Sequence, residues 1–328
     1  MQDKQENSIL NNNNTAIIFP GQGSQSVGMS KEIYDNFNIV RELFEETNDI
    51  LKYDLKKIMF EGPIDILTQT INSQPAIMLS SIAIVKVIEK EIGKKIWELA
   101  NISAGHSLGE ITALCAIDTI SFTDTVRILQ LRSREMEKCS NNSKGSMIAI
   151  VGITYDELMN SLANIIKDNP HFLEKYSIAN HNSEKQIILS GDLYIINQIR
   201  DLLKKSNIKV IPLKVSGGFH SPLMTDTKKP LENLINNIVF HTPKIDIIQN
   251  YPATIVKNIS KIKENLVKQV TSTVKWYDTI KLIEMNKIER IVEIGNQTVL
   301  TNINKRTTNI NSFSINNLES INNFISMF

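Results

Sequence analysis

The sequence predicts an α/β fold in two parts, a large strand–helix core and a smaller unit inserted into it. Three observations lead there. Short apolar runs alternate with amphipathic helical stretches along most of the chain, the rhythm of a largely parallel sheet. Between about 144 and 215 the order changes to β-α-β-β-α-β. The chain has 328 residues, 41% of them hydrophobic, enough for one large α/β domain or for two.

"TAIIFPGQGSQ" (15–25) reads as a buried strand entering a glycine-rich loop, and a helix is expected from about Lys31 to Ile50. "SQPAIMLSSIAIVKVIEKEIG" (73–93) reads as a long apolar helix, begun by a Gln-Pro pair and closed by Gly93. "ELANISAG" (98–105) is strand-like and "LGEITALCA" (108–116) helical. "SFTDTVRILQLRSREMEK" (121–138) opens with Ser121 and Asp124 at capping-box spacing. At about 100° per residue, Phe122, Val126, Leu129, Ser133 and Met136 share one face of this helix. Arg127, Gln130, Arg134, Glu137 and Lys138 share the opposite one. Arg132 falls between Met136 and Ile128, on the covered arc, where a guanidinium needs an anionic partner.

The inserted unit follows. "SMIAIVGI" (146–153) is a strand and "DELMNSLANII" (156–166) a helix. "SIANHN" (177–182) and "KQIILSG" (185–191) are strands joined by the turn "SE". "LYIINQIRDLLKKS" (193–206) is a helix and "IKVIPLKV" (208–215) a strand. This order is the split βαβ pattern of a ferredoxin-like unit, assigned to 144–215. The core rhythm then resumes with a strand at 244–250, a helix over 264–286, a strand at 290–295, a helix, and a last short strand or helix. The core is therefore assigned to 15–143 and 216–328. The polar, asparagine-rich segment 1–14 reads as a disordered leader.

Composition narrows the function. Lys and Arg total 36 against 35 acidic residues, so no global field draws the chain to nucleic acid. No run of about 18 apolar residues appears, so no membrane span is expected. Two cysteines, Cys115 and Cys139, make neither a disulfide framework nor a metal cluster. Cys115, in "ALCAI", reads as a small buried hydrophobe.

The chemistry centres on "ISAGHSLGE" (102–110), a G-x-S-x-G sequence between a strand and a helix. This is the turn that presents a nucleophilic serine. Side chains at 105 and 109 would collide with neighbouring strands, so both are glycine. Ser107 stands at a helix start, where free N–H groups would stabilise the oxyanion of a tetrahedral intermediate. A serine needs a base. Of His106, His171, His181, His220 and His241, the best placed is His220. It lies in "SGGFHSPLM", the glycine-rich return from the small unit to the core.

Seven segments occur in one order: "FPGQGSQ" (19–25), "SQPAIM" (73–78), "AGHSLGE" (104–110), "LQLRSREM" (129–136), "ANHNSEKQIILSG" (179–191), "SGGFHSPLM" (216–224) and "VEIG" (292–295). Together they resemble malonyl-CoA:acyl-carrier-protein transacylases of type II fatty acid synthesis, and the acyltransferase domains of polyketide synthases. The resemblance runs from about Thr15 to about Arg306. It implies an α/β-hydrolase-like core around the ferredoxin-like insert, and malonyl transfer from malonyl-CoA to the phosphopantetheine thiol of holo acyl carrier protein through a malonyl-serine. It implies Ser107 as nucleophile and His220 as base, the latter oriented by the backbone carbonyl of Gln269. Gln22 and Leu108 match the oxyanion-hole N–H groups. Arg132 matches the residue that holds the malonyl carboxylate, and Phe219 the aromatic that disfavours a branched acyl chain. Gln74 and Asn182 match polar positions near the site.

No cofactor or metal is implied, and a monomer in the bacterial cytosol or a plastid stroma is expected. The plastid alternative comes from the leader and from a composition of 29 lysines against 7 arginines, with 35 asparagines. Three positions depart from the family pattern: Gly218 for alanine, Glu184-Lys185 for Pro-Gly, and Gly295-Asn296-Gln297-Thr298 for Gly-Pro-Gly-Lys. The last would remove a basic contact at the mouth of the site. The alternative activity is that of a serine thioesterase or esterase, with water as acceptor. A carrier-binding scaffold with a vestigial site is the non-enzymatic alternative.

Overall fold

Strand β1 (Thr15–Phe19) is buried along its whole length, with Ile17 and Phe19 in one hydrophobic cluster and Ala16 and Ile18 in another. A strand apolar on both faces needs cover on both, which is the situation of a parallel sheet between helical layers. The computed structural model describes residues 14–328, so the expected leader lies outside the described residues except for Asn14.

The remaining strands are β2 (Ile102–Gly105), β3 (Gly145–Val151), β4 (Tyr176–Ser183), β5 (Gln186–Asp192), β6 (Lys209–Pro212), β7 (Asp246–Gln249), β8 (Thr254–Ile255), β9 (Arg290–Ile294) and β10 (Asn311–Ile315). Among the described residues, six form one sheet in the order β10-β9-β1-β2-β7-β8, parallel except for β8. Helices Thr70–Ile92, Leu108–Ala116 and Phe122–Asn142 cover the Ile17 face, and Trp276–Met285 and Val299–Asn304 the other. Because the strands are parallel, the loops leaving β1, β2, β7 and β9 gather at one end of the sheet, where ligands bind in such folds.

The other four strands form an antiparallel sheet in the order β4-β5-β3-β6. Ile148, Ile150, Ile187 and Leu189 face helices Tyr155–Asp168 and Leu193–Lys205. Met147, Ala149 and Ile188, one residue out of step, pack with Met136 of the core and with Phe219 and Met224 of the return loop. The period of two along β3 thus gives the small sheet its own core and also roofs the larger part.

Several expected boundaries move. The helix expected over 31–50 is two, Lys31–Asn36 and Asn38–Leu51, with Phe37 extended between them. The long helix starts at Thr70, so Pro75 lies inside it rather than at its start. Proline has no N–H for the carbonyl of Ile71, and the Tyr53 hydroxyl donates to that carbonyl instead, at 3.2 Å. This helix is long and apolar enough to cross a membrane by length and composition, but 89% of its most apolar stretch is buried inside the protein. The 264–286 helix breaks into Ile259–Gln269 and Trp276–Met285. The β4–β5 turn is Glu184-Lys185, one residue beyond the expected one. At the start of Phe122–Asn142 the Asp124 N–H donates to Ser121 Oγ, but the Asp124 carboxylate accepts from the Ser121 hydroxyl rather than from its backbone, so only half of a capping box forms. Cys115 is buried, and burial pushes its thiol up to about 11.

Candidate active site

β2 ends at Gly105 and the next helix begins at Leu108, leaving two residues for the turn. Ser107 takes φ 55° and ψ −111°, a backbone conformation that non-glycine residues rarely hold. The two glycines make this possible by close approach. A Cβ at Gly109 would lie 2.2 Å from the Phe19 carbonyl oxygen on β1, the strand clash expected. A Cβ at Gly105 would lie 1.9 Å from the Gly109 carbonyl oxygen, so the obstacle there is the following helix and not a strand.

Three polar side chains hold the turn. Asn250, just beyond β7, accepts from Ser107 N–H at 2.7 Å and donates to Gly105 O at 2.6 Å. Gln269 Nε2 donates to Ser107 O at 3.0 Å and to the Glu110 carboxylate at 2.9 Å. Glu110 also accepts from Asn250 N–H at 2.7 Å and Gln249 Nε2 at 2.9 Å. Strain of roughly 1–3 kcal/mol at one residue is offset by bonds of this kind, each contributing about 1 kcal/mol.

The catalytic candidates meet at this turn. Ser107 Oγ lies 2.8 Å from His220 Nε2, and His220 Nδ1 lies 2.9 Å from the Gln269 carbonyl. A carbonyl only accepts, so Nδ1 carries the proton and Nε2 is left to accept from the serine hydroxyl. Gln269 is the last residue of its helix, and the break at 270–275 leaves its carbonyl available to the histidine. Arg132 Nη2 donates to Ser107 Oγ at 3.0 Å and to Gln269 Oε1 at 3.1 Å, while Nη1 donates to Gln74 Oε1 at 2.7 Å. The Arg132 Nε–H is buried and has no partner among the described residues.

Ser107, His220 and Arg132 open onto one cavity of about 270 Å³, where Gln22, Gln74, Leu108 and Phe219 also line the wall. Neither the Gln22 nor the Leu108 N–H donates to another group among the described residues. Asn182 stands apart: its side chain is directed to His106 Nε2 at 3.0 Å and to Gln186, while Asn180 lines the cavity.

The acyl transferase domain model matches residues 16–320, nearly the whole chain. The chain belongs to the acyl transferase family. It is 34% identical over 311 residues to the malonyl CoA-acyl carrier protein transacylase of Buchnera aphidicola, covering 94% of this chain and 97% of that protein. The crystal structure of an acyl-carrier-protein-S-malonyltransferase from Bartonella henselae superposes with a TM-score of 0.89 at 33% identity, covering 95% of this chain and 98% of that one. A malonyl-transacylase solved in complex with its type II PKS acyl-carrier protein gives 0.88 at 29% identity, covering 95% and 99%.

In this acyl transferase the electrostatics favour a neutral imidazole at His220 beside a charged arginine. Burial pushes the His220 imidazole down to about 3, the adjacent Arg132 guanidinium adds to the shift, and the Gln269 carbonyl opposes it. Burial lowers Arg132 to about 10, opposed by Glu110, so it stays charged at neutral pH. Burial raises the Glu110 carboxyl, opposed first by its hydrogen bonds to Asn250, Gln269 and Gln249 and then by Arg132.

Unfolded His220 binds its proton below the ordinary value of 6.5, whereas folded His220 resists until about 3. Acidification across that window therefore favours the unfolded chain, and the stability present above 6.5 is lost progressively. Over the same window the His220 imidazole stays neutral in the folded enzyme. The kcat/KM profile of acylation should accordingly show no acid limb centred at 6.5, and denaturant titrations should show stability falling there. A limb at the ordinary imidazole value would contradict the depressed His220.

Glu110, Asn250 and the side-chain role of Gln269 are not apparent from the motifs. Glu110 carried a signal, as a carboxylate in the otherwise apolar "LGEITALCA". Asn250 carried a weaker one, as a polar residue closing the buried run "KIDIIQN".

Proposed function

We propose that this enzyme moves a malonyl group from malonyl-CoA to the phosphopantetheine thiol of holo acyl carrier protein, through an ester on Ser107. The observation that carries the reading is the Arg132 guanidinium, buried and charged, 3.0 Å from the Ser107 hydroxyl inside one small cavity. An ordinary esterase has no use for a buried cation beside its nucleophile. An acyl group ending in a carboxylate does, because a guanidinium offers it a planar two-point fork. The Nη2 group that meets Ser107 Oγ supports this, since it lies where the carboxylate end of an acyl group on that oxygen can reach it.

His220 Nε2 removes the hydroxyl proton as Ser107 Oγ attacks the thioester carbonyl. The imidazolium then protonates the departing CoA thiolate. In the second half the carrier thiol gives its proton to His220, attacks the serine ester and takes the malonyl group, and His220 returns the proton to Ser107. The Gln269 carbonyl fixes the tautomer, giving a serine–histidine dyad rather than a triad with a carboxylate. The Gln22 and Leu108 N–H groups receive the oxyanion. Phe219 fills space that a branched acyl chain would need, Gln74 orients Arg132, and Asn182 acts through His106.

The order β4-β5-β3-β6 supports a ferredoxin-like unit at 144–215 inside an α/β-hydrolase-like core at 15–143 and 216–328. The bacterial relatives favour a bacterial cytosol over a plastid stroma, with the enzyme acting as a monomer. Incubation with malonyl-CoA, with and without holo carrier, tests the function. Malonyl-carrier should accumulate and depend on the carrier. Rapid release of free malonate with no malonyl-carrier would overturn the reading in favour of a hydrolase.

A further inference from the structure

The loop leaving β9 departs from the family pattern, and its Asn296 reaches across the end of the sheet to the loop leaving β1. The Asn296 side-chain amide donates to the Ser24 carbonyl at 2.5 Å and to Ser26 Oγ at 2.9 Å. It is the only donor to the Ser24 carbonyl among the described residues, and Ser24 is fully buried. Ser24 Oγ in turn donates to the Gly21 carbonyl at 2.9 Å. Gln22 sits between these two anchored residues, on the cavity wall. The brace is itself well founded. Gly295 packs so closely on Pro20 that a Cβ there would lie 2.7 Å from the proline ring, and its N–H donates to Ile315 at the end of β10. Asn316 holds the Gln297 carbonyl at 3.1 Å.

We propose that Asn296 is a positioning residue that fixes the Gln22 N–H at the oxyanion site by pinning the Ser24 carbonyl. The inference deepens the proposed function and rests on its assignment of Ser107 as nucleophile and Gln22 as oxyanion donor. Its physical basis is that oxyanion donors work by being in place before charge develops. Without the brace, a buried carbonyl loses its partner and the loop shifts to find another. The acyl group in its ground state is held by Arg132, which Gln74 orients, and neither side chain hydrogen-bonds Asn296. Binding should survive while the transition state weakens.

The test compares wild-type enzyme with Asn296→Ala and Asn296→Asp, the latter similar in shape but presenting oxygens where donors are needed. Single-turnover acylation at saturating malonyl-CoA should fall by about tenfold in both, less than the roughly 10²–10³-fold lost when a donor is removed outright. The affinity for malonyl-CoA should hold within about twofold, the split expected of an interaction made only in the transition state. A boronic acid that forms a tetrahedral adduct on Ser107 should lose affinity in parallel with the rate. Ser26→Ala, which leaves the Ser24 bond intact, should fold normally and keep most of the rate. Unchanged acylation in Asn296→Ala overturns the proposal, as does equal loss of boronate and malonyl-CoA affinity. Ser107→Ala run alongside separates the two levels. If it still transfers malonyl, the nucleophile assignment fails. If it is inactive while Asn296→Ala is unimpaired, only the brace fails.

Discussion

Replacing Arg132 by alanine should abolish efficient malonyl transfer while leaving acetyl transfer intact or raised. The guanidinium is buried and holds Ser107 Oγ, Gln74 Oε1 and Gln269 Oε1. On the proposed reading a malonyl carboxylate would compete for that donor set as a charged acceptor, and an acetyl group has nothing to offer it. Removing one partner of a buried charge pair typically costs about 2–5 kcal/mol. A fall of roughly 10²–10³-fold in kcat/KM for malonyl-CoA is therefore expected, each factor of ten being about 1.4 kcal/mol. Arg132→Lys should recover only part of it, since an ammonium keeps the charge but not the fork. The check is kcat/KM for both donors with one carrier preparation. Equal losses for malonyl and acetyl would mean that Arg132 only supports the turn.

His220→Ala should slow acylation by roughly 10²–10⁴-fold, the usual worth of a positioned general base. The residual rate should rise with pH as hydroxide takes over the proton. Arg132 would still hold the serine oxygen, so malonyl-CoA affinity should change little. Rapid-quench measurement of the acylation burst reads this directly, and an unchanged burst would remove His220 from the mechanism.

Much of this site was legible in the chain because each residue breaks a local pattern. Ser107 sits in a glycine-flanked turn, and Arg132 is a cation on the apolar arc of an amphipathic helix. His220 lies in the return loop between two units. Such anomalies mark places where folding alone does not explain the residue. The structure brings these three to one cavity. The supports were less legible because they depend on strand order. Asn250 grips the Ser107 turn only because β7 lies beside β2, although about 140 residues separate the two in sequence. Local periodicity carries no information on that pairing.

The misplaced helix ends have the same origin. Residues 264–286 are apolar at helical spacing, yet the chain breaks at 270–275, where Val274 pairs with Asn180 of β4 and hydrogen-bonds Ala179 and His181. That long-range pairing overrides helix propensity, and it also leaves the Gln269 carbonyl for His220. Pro75 by itself marks a helix start, yet it lies inside the helix, where Tyr53, 18 residues away from Ile71, donates to the carbonyl the proline leaves free. In both cases the local outcome involves a partner distant in sequence.

A covalent acyl-serine should form where the Ser107, His220 and Arg132 side chains converge. Brief incubation with malonyl-CoA in the absence of carrier, followed by mass spectrometry of the peptide bearing residue 107, tests it most directly. A malonyl increment on Ser107 that disappears on addition of holo carrier, and is never seen in Ser107→Ala, is the predicted result. A malonyl group on any other residue, or full transfer by Ser107→Ala, would contradict it.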